Sequence, residues 1–174
     1  MLTFTIATPD DIPQLLPLVN SAYRGDPSRV GWTTEADFLS GDIRTDAEDM
    51  AVLMARPTAV ILKASDEAGS VQGCVFLEKS DNNRLYLGML SVWPERQGQG
   101  IGKVLLLKAE ERARALGCSA IAMRVLSPRH ELLAWYERHG YQPTGAREPY
   151  TAPPKYGVPV QALDFVVLEK IISL

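Results

Sequence analysis

The feature that most constrains how this chain folds is a glycine-rich segment at residues 97–102, Gln-Gly-Gln-Gly-Ile-Gly. It follows an apolar run at 84–92 that is typical of a strand. It also opens a helical pattern that continues to Leu116 and stops at Gly117. Without side chains in the way, several backbone N–H groups at such a helix start can converge on one anion, helped by the helix dipole. The segment predicts a strand-turn-helix unit suited to a phosphate or pyrophosphate; the alternative is a glycine-rich helix start that binds nothing.

Three better-known motifs are excluded by single residues. The dinucleotide-binding pattern G-x-G-x-x-G fails because Lys103 stands at the third glycine position. The P-loop pattern fails because Gln97 replaces its first glycine and Val104 replaces its hydroxyl residue. Nothing in the chain fits the G-x-S-x-G nucleophile elbow.

The rest of the chain predicts a sheet with helices packed on it, α+β or α/β. We expect strands at 3–7, 58–64, 71–78, 84–92, 119–126 and 161–169, with another near Tyr141 left open. We expect long helices after Thr8-Pro9 (kinked or shortened at Pro17), over 100–116, and from Ser127-Pro128 to just before Gly140. An acidic, irregular segment at 24–49 should contain a short helix starting at Thr33 and lead into another at 46–55, and residues 143–160 should form a loop.

Composition narrows the function classes. A length of 174 residues suggests one domain over 1–174, because domains run to roughly 100–200 residues. A net charge of −3 gives no sign of nucleic-acid binding, and the two cysteines and two histidines have no metal-site spacing. The chain lacks a signal-peptide pattern and an apolar run of about 18 residues. We therefore expect a soluble, cytoplasmic protein that binds no metal, membrane or nucleic acid.

Two signatures in order carry a resemblance to a known family. Residues 97–102 match Q/R-x-x-G-x-G/A, and residues 133–141 (Leu-Ala-Trp-Tyr-Glu-Arg-His-Gly-Tyr) look like an aromatic-rich helix end of the form Leu-Tyr-Glu-Lys-x-Gly-Phe. With the strand order above, the chain resembles the GNAT superfamily of acyl-CoA-dependent N-acetyltransferases over roughly residues 3–170. The resemblance implies the acyl-CoA N-acyltransferase fold, a three-layer α+β arrangement with a mixed, mostly antiparallel central sheet flanked by helices.

The resemblance also implies acetyl-CoA as co-substrate and assigns roles to individual residues. Main-chain amides of the turn would hold its diphosphate, with a lysine at the edge: Gln97, Gly98, Gln99, Gly100, Ile101, Gly102 and Lys103. Leu90 and Val92 would bind the pantetheine arm, and the Leu90 amide would also polarise the acetyl carbonyl. Tyr136 matches the tyrosine that protonates the departing thiolate; the alternative for Tyr136 is core packing against Leu132.

Two positions depart from the family pattern. Tyr86 stands where some relatives carry a glutamate base, which leaves Glu35, Glu78, His130 or a water chain to accept the proton of the amine. Arg129 stands where many relatives have asparagine, and an arginine there could contact a CoA phosphate.

The acceptor of the acetyl group is expected between residues 24–49 and 143–160. The first segment has a net charge of −4 and could attract a cationic amine, whereas Arg147, Lys155, Tyr150 and Tyr156 of the second could hold a carboxylate or phosphate. The resemblance thus implies a small-molecule or peptide amine as acceptor, with a homodimer left open. Two alternatives to the enzyme remain: a non-catalytic acyl-CoA-binding sensor or partner module, and a nucleotide-binding domain of another fold.

Overall fold

The computed structural model describes residues 1–173, which form one seven-stranded sheet with helices on both faces. The strands are β1 (Thr3–Ile6), β2 (Ala59–Ser65), β3 (Val71–Lys79), β4 (Arg84–Val92), β5 (Ala120–Leu126), β6 (Gln142–Pro149) and β7 (Asp164–Ile171). The helices are α1 (Ile12–Tyr23), α2 (Gly25–Ser28), α3 (Ala47–Ala55), α4 (Ile101–Ala115) and α5 (His130–Arg138). Short 3₁₀ turns lie at Pro9–Asp11, Pro94–Arg96 and Pro154–Tyr156.

The sheet is mixed and mostly antiparallel, as the resemblance implies. Its strand order is β1-β2-β3-β4-β5-β7-β6, and only β4 and β5 run parallel. Apolar side chains of α1 and α3 pack on one face, and those of α4 and α5 pack on the other. Successive side chains of a central strand point to opposite faces: Leu85 and Leu87 of β4 belong to the cluster with α4 and α5, and Tyr86 to the cluster with α1 and α3.

The parallel ladder between β4 and β5 is short, and this creates the opening in which the site lies. Pairing covers only Arg84–Tyr86 of β4 with Ala120–Ala122 of β5. Beyond Tyr86, within residues 1–173, the β5-facing side of β4 has no strand partner, so its backbone groups are left to other ligands.

Several sequence-based expectations need correction. No helix starts at Thr33; the chain makes a turn in which the Thr34 hydroxyl accepts the Ala36 N–H at 2.9 Å, and the helical turn is α2. Pro17 does not shorten α1. The helix has 12 residues in all, and Pro17 lies within it. The final strand is β7, a few residues later than the expected 161–169.

The expected loop at 143–160 is partly a strand. β6 pairs with β7 in two pieces, separated by an irregularity between Pro143 and Arg147. Every residue of β6 is exposed, so no alternating apolar pattern marks it in the sequence. Its prolines are tolerated because an edge strand has a partner on one side only.

Candidate active site

β4 contains a bulge beside the opening. The β3–β4 register passes from Phe76–Gly88 to Cys74–Ser91, so Met89 and Leu90 have no partner in this ladder. Met89 has φ +52°, an uncommon conformation for a non-glycine residue that recurs at functional sites. The Leu90 carbonyl accepts the Tyr23 hydroxyl at 3.1 Å, which ties the bulge to the end of α1.

The glycine-rich turn has the geometry that its sequence predicts. Gly98 and Gly100 have φ +80° and +85°, and no atom lies within 4 Å of a Cβ built at either position. Glycine is therefore required there by backbone conformation rather than by crowding. Gly100 immediately precedes α4, so the unpaired N–H groups of the first turn of α4 adjoin the loop.

The side chain of Gln97 holds the start of the turn through two hydrogen bonds. Its Oε1 accepts the Trp32 N–H at 3.1 Å, and its Nε2 donates to the Val92 carbonyl at 3.1 Å. The side chain of Gln97 thus joins the turn to β4 and to the segment after α2, and it holds the turn in a fixed position.

The turn forms one wall of a cavity of about 460 Å³, which we call the turn cavity. Its other walls come from the end of β4, from α5 and from the chain around Trp32. Four cationic side chains line it as well: Arg96, Lys103, Arg129 and Arg138. The structure brings most of the sequence-predicted site residues together at this cavity. Those that line it include Gly98, Gly100, Ile101, Gly102, Lys103, Leu90, Val92 and Tyr136.

Tyr136 lies between the turn cavity and a smaller one. Its side chain is 5% exposed and packs edge-on against Trp135 and Tyr141, with ring centroids 5.1 and 5.8 Å away. No group of residues 1–173 hydrogen-bonds its hydroxyl. Burial raises the pKa of Tyr136 well above 10.0, and the charge of Arg129 opposes that rise only in part. Tyr136 is thus both a packed core residue and a protonated phenol at the cavity wall.

The smaller cavity, of about 70 Å³, is here called the throat. Tyr23, Leu90, Arg129, Leu132 and Tyr136 line both the throat and the turn cavity. On its other side, the throat shares Arg44, Tyr86 and Arg124 with an outer cavity of about 370 Å³. The three cavities therefore follow one another through the opening beside β4.

Two members of a buried ion triad, Glu35 and Arg129, line the throat, and Arg24 completes the triad behind them. Glu35 accepts Arg24 Nε at 2.9 Å on one carboxylate oxygen and Arg129 Nη1 at 3.1 Å on the other. Arg129 also donates to the Thr33 hydroxyl at 3.0 Å, and Arg24 donates to the Tyr156 carbonyl. Burial acts to raise the pKa of Glu35, but the charges of Arg129 and Arg24 outweigh it and hold that pKa below its usual value.

The triad bears on two sequence hypotheses. Glu35 is a poor general base, because both carboxylate oxygens are engaged by guanidinium groups and its pKa is lowered. Arg129 is 3% exposed and lines both the throat and the turn cavity, so its contact with a CoA phosphate stays a prediction.

The other proton-acceptor candidates are spread apart. Glu78 lines the outer cavity and pairs with Arg56 at 3.0 Å. His130, the first residue of α5, is exposed and lines none of the three cavities. Tyr86, which replaces the glutamate of some relatives, lines the throat and the outer cavity. Of the three side chains proposed as the base (Glu35, Glu78 and His130), only Glu78 lines the outer cavity.

The two segments expected around the acceptor do pack together. Leu39 bridges to Pro159, and the Ser40 N–H donates to the Val158 carbonyl at 3.0 Å. Lys155 pairs with Asp46 at 2.9 Å. Arg147, at the sheet edge, pairs with Asp164 at 2.8 Å. Both cations expected to hold an acceptor anion are thus already neutralised.

Two functional candidates are missing from the sequence analysis: Tyr23 and Arg44. Tyr23 continues the apolar stripe of α1, so its position predicts a core residue. Arg44 stands among acidic residues of an irregular segment. Only the packing of α1 and this segment against β4 brings both to the throat.

Among residues 1–173, no group of three or more His, Cys, Asp or Glu side chains is arranged to hold a metal ion. No helix in this part of the chain is long and apolar enough to cross a membrane.

Known proteins resemble this chain in sequence and in fold. Residues 18–141 match the Acetyltransferase (GNAT) family. Mycothiol acetyltransferase of Propionibacterium freudenreichii is 28% identical over 135 residues, which are 76% of this chain and 40% of that protein. The chain therefore spans less than half the length of this relative.

The solved structures agree with the family match. The ribosomal-protein-S18-alanine N-acetyltransferase of Escherichia coli has a TM-score of 0.74 at 15% identity, over 100% of this chain and 96% of its own. The structure of yncA from Salmonella typhimurium with its cofactor acetyl-CoA has a TM-score of 0.69 at 19% identity, over 100% and 95%. These likenesses confirm the acyl-CoA N-acyltransferase fold. Since the family match covers most of the chain and includes the glycine-rich turn and α5, the chain belongs to the GNAT family of acetyltransferases.

Proposed function

We propose that this chain transfers an acetyl group from acetyl-CoA to a primary amine, by direct attack in a ternary complex, within a single domain over residues 1–174. The observation that carries the proposal is the shared lining of one cavity by the left-handed glycine turn, the β4 bulge and Tyr136. The acceptor class that we propose is a small-molecule or peptide amine.

The residues of the turn cavity suit a CoA ester. Gly98 and Gly100 let main-chain N–H groups face an anion, and the start of α4 adds its dipole. Arg96, Lys103 and Arg138 add cationic side chains around the same cavity, as a ligand with several phosphate groups requires. Leu90 and Val92 lie on the part of β4 that has no β5 partner among the described residues, where an extended amide-containing arm could pair with the strand backbone.

Bound acetyl-CoA supplies a thioester carbonyl as the electrophile. The Leu90 amide, unpaired in the β3 ladder, would donate to the carbonyl oxygen as negative charge develops there. Tyr136 would hold its proton at the hydroxyl oxygen until the thiolate departs. The proton of the amine would leave through water or through Glu78, since the carboxylate of Glu35 is engaged by Arg24 and Arg129.

Covalent transfer through a cysteine has little support. Cys74 and Cys118 are both buried. Burial raises the pKa of the Cys74 thiol to about 12, so Cys74 is not a thiolate at neutral pH. Direct attack by the amine needs neither residue.

Calorimetry with acetyl-CoA, CoA, ATP and NAD tests the donor half of the proposal. We expect saturable binding of the two CoA ligands and none of ATP or NAD. Release of CoA thiol with a panel of amines (amino acids, polyamines, aminoglycosides, peptide N-termini) then tests transfer. Binding of ATP or NAD in place of CoA would favour the nucleotide-binding alternative and overturn the proposal.

The engaged carboxylate of Glu35 leaves a second candidate, an acyl-CoA sensor without turnover. Such a module would bind acetyl-CoA as the enzyme does but release no thiol with any amine. Progress curves of thiol release at saturating acetyl-CoA distinguish the two.

Substitution of Tyr136 by phenylalanine is expected to lower kcat by about tenfold or more while leaving the Kd for acetyl-CoA unchanged, because only the proton donor is lost. Tyr141→Phe is the matched control. The Tyr141 hydroxyl is buried without a hydrogen-bond partner among the described residues, and its ring packs on Tyr136. Equal turnover of the Tyr136→Phe and Tyr141→Phe proteins would remove the acid role from Tyr136.

The pH profile should show the raised pKa of Tyr136. Since burial lifts this pKa above 10.0, the phenol stays protonated at all lower pH values. We expect kcat at saturating acetyl-CoA to rise with pH as the amine loses its proton, and to show no alkaline decline centred below 10.0. An alkaline decline centred near neutral pH in the wild type, absent from Tyr136→Phe, would contradict the assigned pKa direction.

A further inference from the structure

The throat contains a guanidinium that has no counter-ion. Arg44 is partly buried and lines both the throat and the outer cavity. No carboxylate of residues 1–173 lies within 4.0 Å of its side-chain nitrogens. Its guanidinium carbon instead lies 4.6 Å from the centroid of the Tyr23 ring, whose hydroxyl donates to the Leu90 carbonyl.

The position of Arg44 is fixed by the fold. The Oδ1 of Asn20, in α1, accepts the backbone N–H of Arg44 at 2.7 Å and that of Thr45 at 3.0 Å. The Thr45 hydroxyl in turn donates to Asp49 at 3.0 Å, at the start of α3. Arg44 is therefore held between two helices with its charged end at the cavity, which is the arrangement of a preorganised binding group.

The charges around Arg44 do not supply a partner for it. Three arginines (Arg44, Arg124 and Arg129) and one glutamate (Glu35) line the throat. Arg124 pairs with Glu148 outside the throat at 3.3 Å, and Glu35 is engaged by Arg24 and Arg129. The lining is therefore net positive, and a guanidinium shielded from bulk water is stabilised by an anionic oxygen.

The acidity of the segment 24–49 does not reverse this sign. Asp26 is fully exposed, Asp37 pairs with Arg29 at the surface, and Asp46 pairs with Lys155. None of these three carboxylates lines the throat or the outer cavity. The attraction for a cationic acceptor suggested by the net charge of the segment therefore lies outside the site.

We infer that the acceptor amine carries an anionic oxygen group, a carboxylate or a phosphoryl group, which Arg44 binds. This rests on the proposed function and adds the substrate class to it. Arg44 lies against the Tyr23 ring, and the hydroxyl of the same ring donates to the Leu90 carbonyl. The amine and the anion should thus be close together in the acceptor, as in an α-amino acid or an α-aminophosphonic acid.

The test compares acceptors that differ only in this group. Free L-α-amino acids, their carboxamides and the matching α-aminophosphonic acids are assayed for CoA-thiol release, with spermidine as a cationic amine. We expect kcat/KM for an acid to exceed that for its carboxamide by about tenfold to a hundredfold, the usual worth of a charge-assisted hydrogen bond. The carboxylate and phosphonate arms show which anion is preferred.

Variants at Arg44 connect this selectivity to the residue. Arg44→Gln should raise the KM for the acid by about tenfold or more, bring the ratio of kcat/KM for acid to that for carboxamide toward one, and keep the Kd for acetyl-CoA. Arg44→Lys should restore part of the selectivity, because it keeps the charge but not the planar fork. Arg29→Gln is the control, since Arg29 lies in the same segment, at the surface, and lines none of the cavities.

The outcomes separate this inference from the proposed function. Equal use of carboxamides or spermidine, an unchanged KM for the acid in Arg44→Gln, or acetyl-CoA binding without turnover of any acid would each overturn the anionic acceptor and leave the donor site in place. Failure of acetyl-CoA to bind would overturn the proposed function and this inference with it.

Discussion

Replacing Glu35 by glutamine should lower the free energy of unfolding by about 3–5 kcal/mol, because it leaves two buried guanidinium groups without their counter-charge. Arg24, Glu35 and Arg129 are 4%, 6% and 3% exposed, so water cannot take over the role of the carboxylate. Denaturant unfolding of the wild type and the variant at neutral pH measures the difference.

The same substitution should change how the free energy of unfolding depends on pH in the acid range. The folded pKa of Glu35 is lowered, so its contribution is present above the unfolded value, near 4.5, and is lost as pH falls through the folded value. The Glu35→Gln protein should lack this component. Asp37→Asn is the control: its ion pair with Arg29 is exposed at the surface, and such pairs contribute about 0–1 kcal/mol. Equal losses in the two variants would show that the triad contributes no more than a surface pair.

The Gly100→Val substitution should weaken acetyl-CoA binding by about a hundredfold, because losing one or two hydrogen bonds to a charged group costs about 1.5–3 kcal/mol each. Gly100 has φ +85°, and a β-branched residue is strongly disfavoured there. The turn would relax to negative φ and rotate its N–H groups away from the anion. Calorimetric titration of Gly100→Val with acetyl-CoA gives the affinity directly.

The Gly69→Val variant is the control that distinguishes backbone strain at a left-handed glycine from the loss of contacts to acetyl-CoA. Gly69 has φ +81° with no atom within 4 Å of a built Cβ, and it lies in the β2–β3 turn, outside the cavities of the candidate site. Both variants should lose similar unfolding free energy, about 1–2 kcal/mol from the left-handed conformation. Only Gly100→Val should lose affinity; an equal loss in Gly69→Val would remove the turn from donor recognition.

Local patterns in the sequence predicted the elements that form the proposed donor half of the site. The glycine turn, β4 and the aromatic end of α5 are each defined by neighbouring residues, so spacing was enough to identify them. The meander of β2, β3 and β4 follows from short turns in the same way. These elements are correct because residues close in sequence determine them.

The proposed acceptor half depends on contacts between distant segments. Glu35 and Arg129 are 94 residues apart, and Tyr23 reaches Leu90 across 67. No local pattern marks such pairs, so Glu35 remained a base candidate and Arg44 was not singled out. The sequence leaves a strand near Tyr141 open but does not predict that β6 continues to Pro149, because a fully exposed edge strand has no apolar period to detect.

The composition of β6 also affects how the protein behaves at high concentration. As the outermost strand next to β7, it could template further strands from other molecules. Pro143 and Pro149 remove two backbone donors from it, Arg147 and Glu148 place charges on it, and its register is interrupted between Pro143 and Arg147. β1, at the opposite edge, has only four residues. Both margins of the sheet are thereby poor nuclei for amyloid-like stacking, which would help keep the chain from aggregating when it is crowded or newly synthesised.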